Sequence, residues 1–139
     1  MFSKGVGMVS IATPLSPEDE RVARLIVDSA FTVHKTLGAG LFENVYEPCF
    51  CHELQKRGLT YERQVTVPLI YDGIQFSEGF RLDVLVEGNV ICELKSVDRL
   101  DNVHLAQVLT YLKLTGKRLG FLINFNTALI KNGIRRVIL

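Results

Sequence analysis

Two short segments that alternate apolar and polar side chains constrain this fold more than any other feature of the sequence. They are residues 81–86 and 90–95, and only the three residues 87–89 separate them. Such alternation is typical of neighbouring strands that bury one face, and the short connection predicts a hairpin. The apolar side chains of each strand share a face: Leu82, Val84 and Val86 in the first, and Val90, Cys92 and Leu94 in the second.

Burying both apolar sets in one layer fixes how the strands pair, because a slip of one residue would move one set to the other layer. The expected register has a turn at 87–89 and places Asp83 opposite Glu93, and Arg81 opposite Lys95. Two opposed carboxylates resist ionising together unless a cation lies between them. A divalent ion with oxygen ligands would relieve that repulsion. A surface ladder in which diagonal charges compensate each other is the alternative.

The rest of the pattern predicts an α/β domain with the element order α-α-β-β-β-α-β-β. Ser16 and Pro17 are typical of a helix start, and residues 38–40, GAG, end that helix. A second helix is expected over about 41–57, in which Pro48 indicates either a kink or a late start. We expect strands at 61–71, 79–86, 90–96, 118–124 and 133–139. The third helix is expected over 99–115, between the third and fourth strands.

Length, charge and cysteine content limit the class of protein. The 139 residues fit one domain over 16–139, preceded by a flexible lead-in over 1–15. A formal net charge of +1 means that binding to nucleic acid would require a local basic patch. We find no long apolar run and no signal-peptide pattern, which predicts no membrane span. Three cysteines make no disulfide framework, so the cytoplasm is the expected compartment.

Three motifs occur in a recognisable order along the chain. Residues 40–46, GLFENVY, match G-x-x-E-x-x-Y, and residues 107–111, QVLTY, match Q-x-x-x-Y. Between them, Asp83 followed by residues 93–95, ELK, is similar to a D-x(n)-E-x-K signature in which Leu82 replaces a proline. With the tail 122–126, LINFN, these motifs resemble the GxxExxY protein family of the PD-(D/E)XK nuclease-like superfamily, from about residue 22 to the C-terminus.

This resemblance implies a restriction-endonuclease-like core, a mixed central β-sheet flanked by helices. It also implies a metal-dependent nuclease that hydrolyses phosphodiesters in nucleic acid, in DNA more than in RNA. Asp83 and Glu93 would bind Mg²⁺ or Mn²⁺ with the Leu94 carbonyl, and Glu43 would join them directly or through water. The ion would lower the pKa of the attacking water. Lys95 would stabilise charge or position that water.

Further side chains have expected supporting roles. Gln107 would orient a phosphate or water with the support of Tyr111, unless this stripe is simply a solvated helix face. We expect Tyr46 to pack or hydrogen-bond rather than to react. The alternative role of Glu43 is to stabilise the N-terminus of its helix.

Two other functions fit the same sequence. A non-catalytic nucleic-acid-binding or assembly module would keep the nuclease fold without metal-dependent cleavage. A hydrolase or binder of a phosphorylated small molecule would require a closed pocket around Asp83. The oligomeric state is open as well, because the apolar segment 134–139 is either an ordinary edge strand or the interface of a homodimer.

Overall fold

A five-stranded mixed sheet with helices on both faces organises the protein, which a computed structural model describes over residues 13–139. The lead-in predicted for residues 1–15 therefore falls largely outside the described residues. The observed element order agrees with the predicted one. The elements are α1 Pro17–Leu37, α2 Glu43–Lys56, β1 Tyr61–Tyr71, β2 Ile74–Val86, β3 Val90–Lys95, α3 Asn102–Thr115, β4 Leu119–Asn124, a 3-10 turn Ile130–Gly133 and β5 Ile134–Ile138.

The strands lie in their sequence order, β1-β2-β3-β4-β5. All neighbours are antiparallel except β3 and β4, which run parallel and are joined by α3. A crossover helix is the usual connection between parallel strands. The last pair of this parallel ladder is Lys95 with Asn124, so the segments that follow β3 and β4 meet at one edge of the sheet.

Two apolar clusters cover the two faces of the sheet. The α1–α2 cluster packs residues such as Ile26 and Phe50 of these helices against Cys92 of β3. The α3 cluster packs Val108 and Leu112 against the opposite face. The sheet is therefore the middle layer of three, as predicted for a sheet flanked by helices. No helix among residues 13–139 combines the length and the apolar character that crossing a bilayer requires.

Local signals place the helix ends. The Ser16 hydroxyl accepts the N–H of Asp19 at 3.0 Å at the start of α1, and Gly38 ends this helix with a φ of 72°. The second helix begins at Glu43 and continues through Pro48, so the late start considered for this helix is wrong. Strand β2 begins at Ile74, earlier than predicted, because the hairpin with β1 extends to the turn between them.

The prediction that Leu82 shares a face with Val84 and Val86 is wrong. Val84 and Val86 pack in the α1–α2 cluster, whereas Leu82 packs in the α3 cluster. Strand β1 changes face at the same level, since Tyr61 packs against the first cluster and Val65 against the second. An irregularity in both strands therefore interrupts the simple alternation of the pleat.

Candidate functional site

Asp83 and Glu93 exchange hydrogen bonds with each other's strands at the end of the β2–β3 ladder. That ladder pairs Val84 with Cys92 and places the turn at 87–89, as predicted. One step further, the N–H of Asp83 donates to Oε2 of Glu93 at 2.9 Å. The N–H of Leu94 donates to Oδ2 of Asp83 at 2.8 Å. The two carboxyl groups thus take the place of backbone acceptors and lie across from each other.

The predicted pairing of Arg81 with Lys95 is not formed. Arg81 pairs with Thr66 of β1, and Lys95 pairs with Asn124 of β4. The reason is that side chains replace the backbone ladder beyond Val84, and β2 and β3 do not continue to pair.

Burial disfavours the charged forms of both carboxyl groups. Glu93 is only 3% exposed, and burial followed by the charge of Asp83 raises its pKa to about 8. Burial also raises the pKa of Asp83, although the hydrogen bond from Leu94 acts in the opposite direction. A carboxyl pair of this kind holds a proton near neutral pH unless another cation replaces it.

The ammonium group of Lys95 lies near enough to act on both carboxyl groups. Burial is the main influence on the pKa of Asp83 and of Glu93, and the positive charge of Lys95 counteracts it in each case. Lys95 is half-buried, and its carbonyl accepts the N–H of Phe125 at 3.0 Å. The structure therefore brings together the three residues of the D-x(n)-E-x-K pattern.

Glu43 reaches the same edge of the sheet from the first position of α2. Its Oε2 accepts the N–H of Ser96 at 3.4 Å, directly after β3. The Ser96 hydroxyl in turn donates to the carbonyl of Leu41 at 2.5 Å. The negative charge of Glu43 adds to the effect of burial in raising the pKa of Asp83. Glu43 is thus placed beside the carboxyl pair while its side chain stays exposed to solvent.

Tyr46 closes the turn that delivers Glu43. Its hydroxyl donates to the carbonyl of Gly38 at 2.6 Å and accepts the N–H of Leu41 at 3.2 Å. Its fully buried ring stacks on Phe125, with ring centroids 4.5 Å apart. Tyr46 therefore contacts the framework of the site and not the carboxyl groups.

Asn124 joins the segments that meet at this edge, a function that sequence reasoning did not assign to it. Its side chain is buried, and Oδ1 accepts the N–H of Val97 at 3.0 Å and that of Asn126 at 3.2 Å. Its Nδ2 donates to the carbonyl of Val97 at 2.9 Å. Asn126 then accepts the N–H of Gly40 at 3.1 Å. These bonds hold the segment after β3 and the α1–α2 turn against the end of β4.

The helix α3 presents Tyr111 towards the carboxyl pair. Its ring stacks on Phe80 with centroids 4.6 Å apart, and burial followed by the charges of Glu93 and Asp83 raises its pKa. Gln107 is half-buried one helical turn earlier on the same helix, and its side chain forms no hydrogen bond with residues 13–139. Tyr111 is therefore electrostatically coupled to the pair, whereas Gln107 is not bonded to it.

Glu47 is a further carboxylate near the pair that the sequence reasoning overlooked. It is 8% exposed, and its carboxylate accepts Nε of Arg63 and Nε2 of Gln64, each at 2.8 Å. Burial is the main reason why the pKa values of Asp83 and Glu93 are raised, and the charge of Glu47 contributes to both. The available signal was its position one helical turn after Glu43.

The donor set fits a divalent ion through two carboxylates. Among residues 13–139, no group of three or more His, Cys, Asp or Glu side chains is arranged to hold a metal. Mg²⁺, however, is commonly bound by one or two carboxylates, with water and substrate phosphate completing its coordination. Asp83 and Glu93 supply such oxygen ligands, and a cation between them would relieve the unfavourable burial of their charges.

A family model described as the PD-(D/E)XK nuclease superfamily matches residues 20–137, which include every site residue described above. No curated protein and no solved structure matches the chain.

Proposed function

Because the chain belongs to the PD-(D/E)XK nuclease superfamily, we propose that it is a metal-dependent nuclease with its site at Asp83, Glu93 and Lys95. The observation that carries this proposal is the buried carboxyl pair at the end of the β2–β3 ladder, with a lysine beside it. A restriction-endonuclease-like core, a mixed sheet with helices on both faces, agrees with this family. We take residues 16–139 as one nuclease-like domain.

The carboxyl pair would hold the cofactor. In this proposal Asp83 and Glu93 bind Mg²⁺ or Mn²⁺, the Leu94 carbonyl is a further ligand, and Glu43 contributes directly or through water. When bound, such an ion neutralises charge on a phosphate and lowers the pKa of water. Glu93 must lose its proton first, because its pKa is raised to about 8 and only the carboxylate is a strong ligand.

The remaining side chains would handle the phosphate and the water. Lys95 would stabilise negative charge that develops on the phosphate, or orient the attacking water. Gln107, whose side chain has no competing hydrogen bond within residues 13–139, would orient a phosphate or solvent molecule. Tyr111 would support α3 above the pair through its stack on Phe80. Tyr46 would act only through the turn that carries Glu43.

Within the superfamily we assign the chain to the GxxExxY family, since each motif residue has a physical role here. Gly40 has a φ of 99°, a backbone conformation that favours glycine. Glu43 begins α2 beside the carboxyl pair, and the Tyr46 hydroxyl closes the turn between α1 and α2. This arrangement supports the assignment without depending on the D-x(n)-E-x-K pattern.

The proposed substrate is nucleic acid, with DNA preferred to RNA, and the proposed compartment is the cytoplasm. Free, buried thiols at Cys51 and Cys92 suit a reducing environment. A homodimer would form through β5, which lies at one edge of the sheet and leaves Arg135 and Arg136 exposed.

A non-catalytic nucleic-acid-binding or assembly module is the second candidate. One observation favours it: the oxygens that would bind a metal already accept backbone N–H groups, so Asp83 and Glu93 stabilise the hairpin without an ion. Binding of a phosphorylated small molecule has less support. Two grooves in the described part of the chain lie beside α1, one next to Val33 and Cys49 and the other next to Phe31 and Leu129, and no site residue lines either of them.

The deciding experiment compares wild type with Asp83→Asn and Glu93→Gln, two variants that keep the size of each side chain. Mg²⁺ and Mn²⁺ binding is measured by calorimetry, and cleavage is measured on single- and double-stranded DNA and RNA. We expect the wild type to bind metal and cleave, and both variants to lose both properties. Glu78→Gln, an exposed acid on β2, is the matched control and should behave as wild type.

The outcome separates the two candidates. Nucleic-acid binding by the wild type, measured by fluorescence anisotropy on the same DNA and RNA, without metal binding or cleavage would support the non-catalytic module. Cleavage that persists in both variants would show that the reaction uses other residues.

A further inference from the structure

Gln64 has a backbone conformation that is unusual for a residue inside a strand. Its φ is 53°, in the left-handed region. In the described part of the chain, two other non-glycine residues have a positive φ, Asp72 at 56° and Glu87 at 55°, and both lie in turns between strands. A non-glycine residue inside a strand keeps a left-handed backbone conformation only where its surroundings hold it there.

This residue lies across from Asp83. Arg63 pairs with Val84 and Val65 pairs with Leu82, but the pair between them, Gln64 with Asp83, is missing from the β1–β2 ladder. The ladder is therefore interrupted at the residue whose carboxyl group belongs to the proposed site. An interruption of this kind bends a strand and changes where its side chains point.

Glu47 holds Gln64 from the neighbouring helix. Its Oε1 accepts Nε2 of Gln64 at 2.8 Å, and its Oε2 accepts Nε of Arg63 at 2.8 Å. Both bonds cross from α2 to β1 and involve a carboxylate that is 8% exposed. Hydrogen bonds to an ionised acceptor are stronger than neutral ones, so Glu47 can restrain two successive residues of the strand.

The interruption changes what Asp83 can contact. The side chains before and after it pack on opposite faces of the sheet, Leu82 in the α3 cluster and Val84 in the α1–α2 cluster. At this point the N–H of Asp83 donates to Glu93, and the carboxyl group of Asp83 accepts the N–H of Leu94. An uninterrupted strand would keep Leu82 and Val84 on the same face.

We propose that Glu47 and Gln64 are positioning residues for the metal site. Glu47 holds Gln64 in its left-handed conformation, and the resulting break in the ladder sets the carboxyl group of Asp83 opposite Glu93. The consequence for metal affinity rests on the proposed nuclease function, whereas the placement of Asp83 in the metal-free protein does not.

Substitutions at Gln64 that differ in backbone preference test this inference. Gln64→Val disfavours a positive φ, whereas Gln64→Gly accepts it without a side chain. Asp72→Val is the matched control, because it puts the same strain at a turn near the far end of the hairpin. If Gln64→Val does not fold, Gln64→Ala provides a milder version of the same comparison.

The first readout is the metal-free protein, studied by amide NMR and hydrogen exchange. We expect Gln64→Val to lose the chemical shifts and exchange protection that the Asp83 and Leu94 amides derive from their carboxyl acceptors. Gln64→Gly and Asp72→Val should keep them. Unchanged Asp83 and Leu94 amides in Gln64→Val, or in the folded Gln64→Ala, would overturn the inference.

The second readout is Mn²⁺ affinity. Loss of a residue that orients a metal ligand typically costs about 10–100-fold, so we expect at least a tenfold loss in Gln64→Val and less than about threefold in Gln64→Gly. Equal losses in the two variants would contradict a role for the backbone. A wild type that binds no Mn²⁺ but shows the NMR effect would reject the proposed nuclease and leave the positioning intact.

A double-mutant cycle isolates the contribution of Glu47. Glu47→Leu removes a charge near the site as well as the contact with Gln64, and the charge effect is the same in either Gln64 background. We therefore expect Glu47→Leu to weaken Mn²⁺ binding more in wild type than in Gln64→Gly, by about threefold or more. Equal losses in the two backgrounds would show that Glu47 does not act through Gln64.

Discussion

The carboxyl group of Glu93 accepts the backbone N–H of Asp83 at 2.9 Å, although the charge of Asp83 opposes the ionisation of Glu93 and raises its pKa. Burial is the larger cause of the raised pKa of Glu93, and the charge of Asp83 is the next. A hairpin that needed only stability would not require an acid at this position. The pair therefore stabilises the hairpin through hydrogen bonds and also makes the stability of the fold depend on pH, through the raised pKa of Glu93.

The first prediction concerns stability and pH. Folding raises the pKa of Glu93 from its ordinary value of 4.5 to about 8, so the folded state holds a proton that the unfolded chain releases. This contribution to stability is complete below pH 4.5 and is lost as the pH rises to about 8. Glu93→Gln should remove this fall. The free energy of unfolding, measured with denaturant across this pH range, checks the prediction, and Glu78→Gln is the control. If the free energy of unfolding of Glu93→Gln fell with pH as steeply as that of wild type, the prediction would be contradicted.

The second prediction concerns the turn between α1 and α2. Tyr46→Phe removes the hydroxyl that bonds Gly38 and Leu41 but keeps the stack on Phe125. We expect the free energy of unfolding to fall by about 0.5–1.5 kcal/mol, because two partly exposed backbone groups lose the hydroxyl that bonds them. Tyr71→Phe, at a tyrosine that is 69% exposed, should change it by less than about 0.5 kcal/mol. Equal effects in urea unfolding would argue against the role assigned to the Tyr46 hydroxyl.

The third prediction concerns Asn124. Asn124→Ala leaves the N–H and carbonyl of Val97 without the side chain that satisfies them both. The expected loss is about 2–3 kcal/mol, with faster amide exchange in the segment after β3. Asn132→Ala, at an exposed position of the 3-10 turn, is the control and should be nearly neutral. An unchanged exchange rate at Val97 would show that other contacts hold this segment.

The fourth prediction concerns the packing of α3 on the sheet. A β-carbon added at Gly120 would lie 2.8 Å from Cγ1 of Val108. Gly120→Ala should therefore destabilise the protein by about 1–3 kcal/mol through overpacking. Adding Val108→Ala should recover part of that loss, because it removes the opposing methyl group. Thermal unfolding of the two single variants and the double variant measures this coupling, and strict additivity would contradict the contact.

The order of the elements and the β2–β3 register next to the turn, from Val84 to Val86, could be predicted because they depend on local signals. Caps, glycine stops and two alternating apolar sets specify them without reference to the rest of the chain. The orientation of Leu82 could not be predicted in this way. It depends on Gln64, whose backbone conformation depends in turn on a carboxylate from α2. The apolar periodicity of β2 carries no information about this contact between α2 and β1.

The candidate site likewise contains residues that could be predicted from the sequence and residues that could not. Asp83, Glu93 and Lys95 were found because their spacing across a hairpin resembles a known signature. Glu47 matches no such signature, and the family-like tail that contains Asn124 assigns this residue no role; the importance of both follows from bonds between segments that are distant in sequence. Whether Gln107 takes part in the reaction is still a prediction.

The parallel pairing of β3 with β4 has a consequence for synthesis on the ribosome. The hairpin that carries Asp83 and Glu93 closes within a short stretch of chain, and local contacts of this kind form early. Asn124, which joins the segments around that hairpin, lies at the end of β4 and emerges only after the whole of α3. A nascent chain therefore carries its carboxyl pair before it carries the residue that fixes the surrounding segments in place.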